Sequence, residues 1–395
     1  MAICCWATLP WVLLAVITLL LVAACTSGPS PSPSASGTQS SGSASPSGLD
    51  LTAGLSVPLS IVEVRHANLD DYAVSALVVT KTGQAWAAAD ERTGDQRRGL
   101  WHGTVGSAGT WYPFPAASDT AWPIEGSQLT VAPDGQPWIS VAGSLLTQQG
   151  GAWRSVEWPN GWTVTTINSP MVGPDGVIWA QLDSQDPWGW APGSLLRYNG
   201  TVTRVPGPSC WSPTLVMAAD GTVWTGGLDD SIFDLAARCQ QRFDGATWTT
   251  ARPLGGTKDA RPLLVTADPQ GPVWAWLVDV EQVSAHLGAS QSSAQSLARF
   301  DGTAWTTFTT GLPPGAPTSM VARNGILWVV MHQAPWEAPT ADAPALYRFD
   351  GTSWSKVPAA ANVIPESVLA ADPDDSVWIT TADGVLHHVP PGLPW

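Results

Sequence analysis

The apolar positions of this chain fall in short runs of about four to eight residues, broken by Gly, Asp, Asn and Pro, which is strand-and-turn patterning. "LTVAPDGQPWISVA" (Leu129–Ala142) shows the unit: an apolar run, an Asp-Gly turn, then Trp at the head of a second apolar run. The same phrase places Trp86, Trp138, Trp179, Trp224, Trp274, Trp328 and Trp378 roughly 40–55 residues apart. Asp-Gly and Asn-Gly supply the positive φ of a two-residue hairpin, so each copy reads as strand, turn, strand.

A second phrase follows each first one except the last. It is written FDGATWTT at Phe243–Thr250, FDGTAWTTF at Phe300–Phe308 and FDGTSWS at Phe349–Ser355. Gly151-Ala152-Trp153 is a shorter copy, Gly109-Thr110-Trp111 a worn one, and Tyr198-Asn199-Gly200 keeps the turn without the Trp. An apolar run such as SLLRYN (Ser194–Asn199) leads into each. Every repeat therefore holds four strands, which we letter a to d. Seven such units predict an all-β fold, a seven-bladed β-propeller with four-stranded blades. The last repeat has no d phrase before Trp395, while an unassigned strand-like run, SVPLSIVEVRHA (Ser56–Ala67), precedes the first. The expectation is that this N-terminal strand joins the last blade and closes the ring. The repeated Trp would fill the wedges between blades and the repeated Asp would make the turns, so the repetition specifies a fold and not a chemistry.

Composition sharpens the picture. Charged residues are only 12% and the formal net charge is −15, a surface that repels phosphate backbones, so no nucleic-acid partner is expected. Trp is abundant at 24, with 38 Gly and 35 Pro, in keeping with a turn-rich β protein.

Residues 1–48 read differently from the rest. An apolar run (Leu9–Ala24) ends in Val22-Ala23-Ala24-Cys25, which resembles a bacterial lipobox, with residues 1–25 as signal peptide and Cys25 as the lipidated residue. No Lys or Arg precedes the run, and the alternative is an uncleaved anchor. Residues 26–48, Ser-, Pro- and Gly-rich, form a disordered tether, leaving 49–395 for the propeller. These segments predict a lipid-anchored protein on the cell membrane, facing outside the cytoplasm, with the membrane as one partner. In that compartment Cys210 and Cys239 are expected to form a disulfide worth on the order of 3–4 kcal/mol in the chain-entropy description.

The pattern "DG..W … R.DG..W", with Asp134-Gly135, Trp138, Arg299 and Asp301-Gly302 among its instances, resembles the two-component-regulator propeller repeat and, more distantly, streptogramin-lyase-like propellers. The first resemblance implies a sensor-like binding role, because that repeat builds sensor domains of bacterial membrane receptors. Here no kinase follows the propeller, so a sensed signal would pass through another protein.

In a four-stranded blade the a–b and c–d turns share one face, and the b–c and d–a connections the other. The turns are formulaic, whereas the b–c connections vary widely, and insertions confined to one face mark a binding face. Candidate ligand-binding residues on it are Trp101, Trp188, Trp190 and Trp336, with the carboxylates Asp183, Asp186, Asp229, Asp230, Glu281 and Glu337, and the imidazoles of His286 and His332. Flat rings beside acidic acceptors suit a sugar or a cationic ligand. The alternative is that these rings pack the loops onto the ring of blades. No metal site, cofactor or catalytic residue is assigned. The reading is a monomeric, non-catalytic binder of a small molecule, glycan or protein. The alternatives are a propeller lyase or hydrolase at the same face, and an envelope scaffold. A His within hydrogen-bond reach of a carboxylate at the channel mouth would favour an enzyme.

Overall fold

The computed structural model describes residues 51–391 other than 52, 57–59, 62–64, 68, 93–97, 105–106, 116–128, 142, 163, 165, 183–193, 209–213, 227–239, 251–259, 280–294, 333–343, 360–363 and 383. The predicted signal, the tether and the Cys210–Cys239 pairing lie outside these residues.

Seven antiparallel sheets form the seven blades of the propeller. Two short strands come first, β1 (Ser60–Ile61) and β2 (Arg65–Ala67). Blade 1 holds β3 (Tyr72–Val79), β4 (Gln84–Glu91), β5 (Arg98–Thr104) and β6 (Gly109–Pro113). Blade 2 holds β7 (Leu129–Val131), β8 (Pro137–Val141), β9 (Ser144–Gln149) and β10 (Ala152–Ser155), and blade 3 β11 (Ile167–Val172), β12 (Ile178–Leu182), β13 (Ser194–Tyr198) and β14 (Val202–Pro206). Blade 4 comprises β15 (Thr214–Met217), β16 (Val223–Gly226), β17 (Gln241–Phe243) and β18 (Trp248–Thr250), and blade 5 β19 (Ala260–Ala267), β20 (Val273–Asp279), β21 (Gln295–Phe300) and β22 (Trp305–Phe308). Blade 6 is β23 (Ala316–Arg323), β24 (Ile326–His332), β25 (Ala345–Phe349) and β26 (Trp354–Lys356); blade 7 is β27 (Pro365–Ala371), β28 (Val377–Thr381) and β29 (Leu386–Val389). The innermost strands touch in succession, and β27 touches β3, which closes the ring.

The a–b turns differ in one respect from the two-residue hairpins expected. In six blades the turn is longer. Ala132 N donates to Gln136 O at 2.9 Å and Gly135 N to Ala132 O at 2.8 Å, with Gly135 alone at positive φ (87°). The Asp before that Gly does not supply positive φ. Its Oδ1 accepts the N–H two residues on, as Asp134 does from Gln136 (3.0 Å) and Asp220 from Thr222 (3.0 Å). Only blade 6 makes the two-residue turn, with Asn324 (53°) and Gly325 (78°) both at positive φ.

Seven apolar clusters occupy the seven seams between blades, and each repeated Trp faces a fixed direction. The Trp of strand b faces the next blade: Trp86 packs toward blade 2, Trp224 toward blade 5, and Trp378 toward blade 1. The Trp of strand d faces the preceding blade: Trp153 toward blade 1, Trp305 toward blade 4, Trp354 toward blade 5. Two rings of one seam therefore meet, as Trp224 and Trp305 do edge to face at 5.4 Å. The Phe of the second phrase lies on the same side as its Trp, and Phe349 stacks on Trp354 at 4.8 Å.

The run Ser56–Ala67 does not complete the last blade. Its strand β1 adds to the outer edge of blade 2, beside β10, and β2 adds to blade 1, beside β6. Blade 7 has three strands among the described residues. The N-terminal segment is thus a strap over the rim. It begins at blade 3, where the Tyr198 hydroxyl meets the carbonyls of Leu51 and Ala53, and continues through a Leu55–Val156 bridge to blade 2. The strap explains a difference between copies of the second phrase. Trp111 and Trp153, paired with β2 and β1, are fully buried, whereas Trp248, Trp305 and Trp354 stay partly exposed.

Candidate functional site

The two faces of the ring are built differently. On the turn face, hydrogen-bonded Asp residues fix nearly identical loops. Asp244, Asp301 and Asp350 each accept two backbone N–H groups, Asp301 from Thr303 and Ala304 at 2.9 Å each. Those bonds favour the carboxylate, and the Asp301 carboxyl is held down to about 2, chiefly by the Ala304 and Thr303 amides. On the opposite face the b–c connections run from Val141–Ser144 in blade 2 to Asp279–Gln295 in blade 5.

Most of the predicted binding residues sit in those connections. Asp183, Asp186, Trp188, Trp190, Asp229, Asp230, Glu281, His286, Trp336 and Glu337 lie outside the described residues. His332 is described and ends β24 on the long-connection face. Its Nε2 lies 3.0 Å from the Pro365 carbonyl, where blade 7 begins, so the ring is partly committed to joining two blades.

Trp101 is a correction. It is not an exposed loop aromatic: strand β5 resumes at Arg98, and Trp101 is fully buried in the seam between blades 7 and 1. Its ring lies over Gly109, where a Cβ would come within 2.2 Å of the indole. The sequence hid this because a polar stretch, Glu91–Arg98, obscures where the strand restarts.

The described His–carboxylate contact is on the turn face instead. In blade 7, His388 Nε2 lies 3.1 Å from Asp372 Oδ2 and 2.7 Å from Ser376 Oγ. Trp378 Nε1 donates to the same Asp372 oxygen at 2.8 Å. The grouping of Ser, His and Asp resembles a nucleophilic relay only in composition. A relay uses the two imidazole nitrogens separately, one toward the hydroxyl and one toward the carboxylate. Here one nitrogen serves both, and Ser376 is fully buried at the base of a turn. The geometry suits fixing the turn, not attacking a substrate.

Next to it, Arg323 Nη1 donates to Ala371 O at 2.8 Å and Val79 O at 3.3 Å, linking blades 6, 7 and 1. Burial lowers its pKa, against which Asp372 and Asp268 act. Another recurrent contact escaped the sequence reading. In six of the seven blades the c-strand residue directly opposite the b-strand Trp covers its ring; in blade 2 that position, opposite Trp138, is Thr147. Arg197 stands 5.9 Å from Trp179, Arg242 5.7 Å from Trp224, Arg299 5.6 Å from Trp274 and Arg348 5.8 Å from Trp328. His102 stacks on Trp86 at 4.0 Å and His388 on Trp378 at 4.3 Å; burial lowers the His102 pKa. The fixed offset from Arg to the next Asp-Gly was the available signal.

No protein-family profile matches the chain, and no curated protein matches it. Solved structures share the fold at low identity. A catalytically inactive virginiamycin B lyase from Staphylococcus aureus, with quinupristin, is 14% identical over 83% of this chain and 99% of its own, at a TM-score of 0.49. The acylaminoacyl peptidase of Pyrococcus horikoshii is 9% identical over 82% of this chain and 52% of its own, at 0.51. The GH74 xyloglucanase of Xanthomonas campestris is 15% identical over 81% of this chain and 52% of its own, at 0.48. The chain thus spans about half the length of the last two. At such identities the likeness shows the propeller fold alone.

Proposed function

We propose that this protein is a lipid-anchored propeller outside the cytoplasm that binds a small molecule, a glycan or a protein on its long-connection face, without chemistry. The observation that carries this reading is the asymmetry of the two faces. One is a set of near-identical turns locked by Asp side chains, and the other gathers connections that differ from blade to blade. Repeats that differ only on one face have a scaffold at one end and a recognition surface at the other. The aromatic and acidic residues of those connections, Trp188, Trp190, Trp336, Asp183, Asp186 and Glu337 among them, fit a glycan or a cationic ligand. The His388–Asp372 pair, on the turn face and serving a turn, lends the enzyme reading no support. The apolar run before Cys25 and the polar tether after it support anchoring and export.

A thermal-shift screen of residues 49–395 against cell-wall glycan fragments, small metabolites and divalent metals tests the binding reading. A ligand at 100 times its Kd adds about 2.7 kcal/mol to the folded state. A hit lost on Trp188→Ala or Trp336→Ala, and not turned over, is the expected result. Turnover of the hit would replace the reading with an enzyme. Cys25→Ser should release the full-length protein from the membrane fraction, and retention there would overturn lipid anchoring.

A further inference from the structure

The chain carries three Asn-Gly pairs, at Asn160, Asn199 and Asn324. The backbone nitrogen after an asparagine can close a five-membered ring on the side-chain amide carbon, and a glycine, without a Cβ, leaves that approach unhindered. Whether the ring closes depends on what holds the two groups, and the structure holds the three pairs differently.

In blade 6 both partners are engaged. Asn324 Nδ2 donates to Pro373 O and to Asp375 Oδ1, at 3.1 Å each, and Gly325 N donates to Asp268 Oδ2 at 2.6 Å. Removing the Gly325 proton would set its nitrogen anion against a carboxylate. In blade 3 the Asn199 carboxamide bonds the Thr201 hydroxyl at 3.0 Å, and Gly200 is buried against the strap. Asn160-Gly161 differs from both. It lies in the connection from β10 to β11, and both residues are exposed. Among the described residues neither the Asn160 carboxamide nor the Gly161 N–H makes a hydrogen bond. The turn is closed by a backbone bond from Trp162 N to Pro159 O at 3.1 Å. Gly161 sits at φ 85°, and a Cβ placed on it would meet nothing within 4 Å, so the space beside its nitrogen is open.

We propose that Asn160 is a site of spontaneous modification, converted by water to aspartate and isoaspartate, while the fold protects Asn199 and Asn324. Gly161 N loses its proton and attacks Asn160 Cγ. The N–Cγ bond forms, the Cγ–Nδ2 bond breaks, and Nδ2 leaves as ammonia, taking up the proton. Water then opens the cyclic imide at either carbonyl. Opening at Cγ restores the main chain with an aspartate side chain. Opening at the backbone carbonyl routes the main chain through Cβ and Cγ and so lengthens it. No electrons are exchanged, and water is the co-reactant. Either product sets a carboxylate between Trp158 and Trp162 in the sequence, and both rings pack against the seam of blades 2 and 3. The lengthened product also alters the turn that Pro159 and Trp162 close. This is a d–a connection, on the face proposed above for binding, so the modification would change that face as the protein ages.

The test ages the full-length protein in heavy-oxygen water at neutral and at mildly alkaline pH, folded and, in parallel, unfolded in urea. Chymotryptic peptides are then read by mass spectrometry with fragmentation that separates aspartate from isoaspartate. In the folded protein, heavy oxygen should enter at residue 160 faster than at 199 or 324 by about tenfold or more, the size of effect that an engaged hydrogen bond has on a rate. The rate should rise with pH, because Gly161 N must lose its proton. In urea the three sites should converge. Asn160→Gln, whose ring would be six-membered, should abolish uptake at residue 160 and leave the melting temperature unchanged. A folded protein that reacts at similar rates at the three sites, or not at all at residue 160, would overturn the proposal. The same ranking persisting in urea would overturn the protection assigned to the fold.

Discussion

Arg323 of blade 6 donates to the carbonyl of Val79 in blade 1, 3.3 Å away, while the same nitrogen donates to Ala371 of blade 7 at 2.8 Å. These three residues end the innermost strands of three consecutive blades, so a single guanidinium fastens the joint where the ring meets itself. Strand exchange does not make that joint, because β1 and β2 belong to blades 2 and 1. Hydrogen bonds from a charged donor contribute about 1.5–3 kcal/mol. Arg323→Met should destabilise the propeller by about that amount and speed amide exchange in β27 before other innermost strands. Uniform loss of protection across all blades would show that the clasp is not local.

The Trp phrases predict a graded mutational response. Trp328 is fully buried in the seam between blades 6 and 7, whereas Trp354 is partly exposed at the rim. Removing a fully buried large aromatic costs about 3–5 kcal/mol. Trp328→Ala should show a loss of that size in chemical denaturation, and Trp354→Ala a clearly smaller one. Equal losses would mean that the two phrases do not divide into seam and rim.

How much of this was readable in advance depends on which residues carried the information. The blades were legible because the Trp and Asp-Gly phrases recur at a nearly fixed spacing, and each recurrence marks one strand pair. The destination of Ser56–Ala67 was not legible. An apolar run shows that a strand wants an edge, but several blades offer one, and the choice falls to contacts such as Tyr198 with Leu51. Trp101 was misread because its strand restarts inside a polar stretch.

Acid should loosen the c–d turns first. Asp301 titrates near 3.8 when unfolded and about 2 when folded, because the Ala304 and Thr303 amides stabilise its charged form. A lowered folded pKa means that this contribution is complete above about pH 4 and is lost as the pH falls toward about 2. Asp244 and Asp350 shift in the same direction through the same kind of amide bonds. Asp301→Asn should therefore flatten the fall of stability between about pH 4 and 2, read from denaturation midpoints across that range. A carboxyl resonance of Asp301 titrating near 4 in the folded protein would contradict the assignment.

The strap offers the last prediction. The Tyr198 hydroxyl lies 2.9 Å from the Leu51 carbonyl and also meets that of Ala53, while Gly54, at φ 71°, approaches Gly200 so closely that a Cβ would come within 2.8 Å of its carbonyl oxygen. Further along, Ser56 N donates to Ser155 O at 2.9 Å, and Arg154 Nη1 donates to Ser56 O at 3.1 Å. Tyr198→Phe removes one hydroxyl and leaves the ring that packs on Trp138 at 5.4 Å. The expected cost is about 1 kcal/mol. The change should appear as faster amide exchange and earlier protease cleavage within residues 51–56, with the seam between blades 2 and 3 still protected. If residues 51–56 keep their protection in Tyr198→Phe, the contacts of Gly54–Ser56 with Arg154–Glu157 hold the strap without the hydroxyl, and the tyrosine serves the seam only.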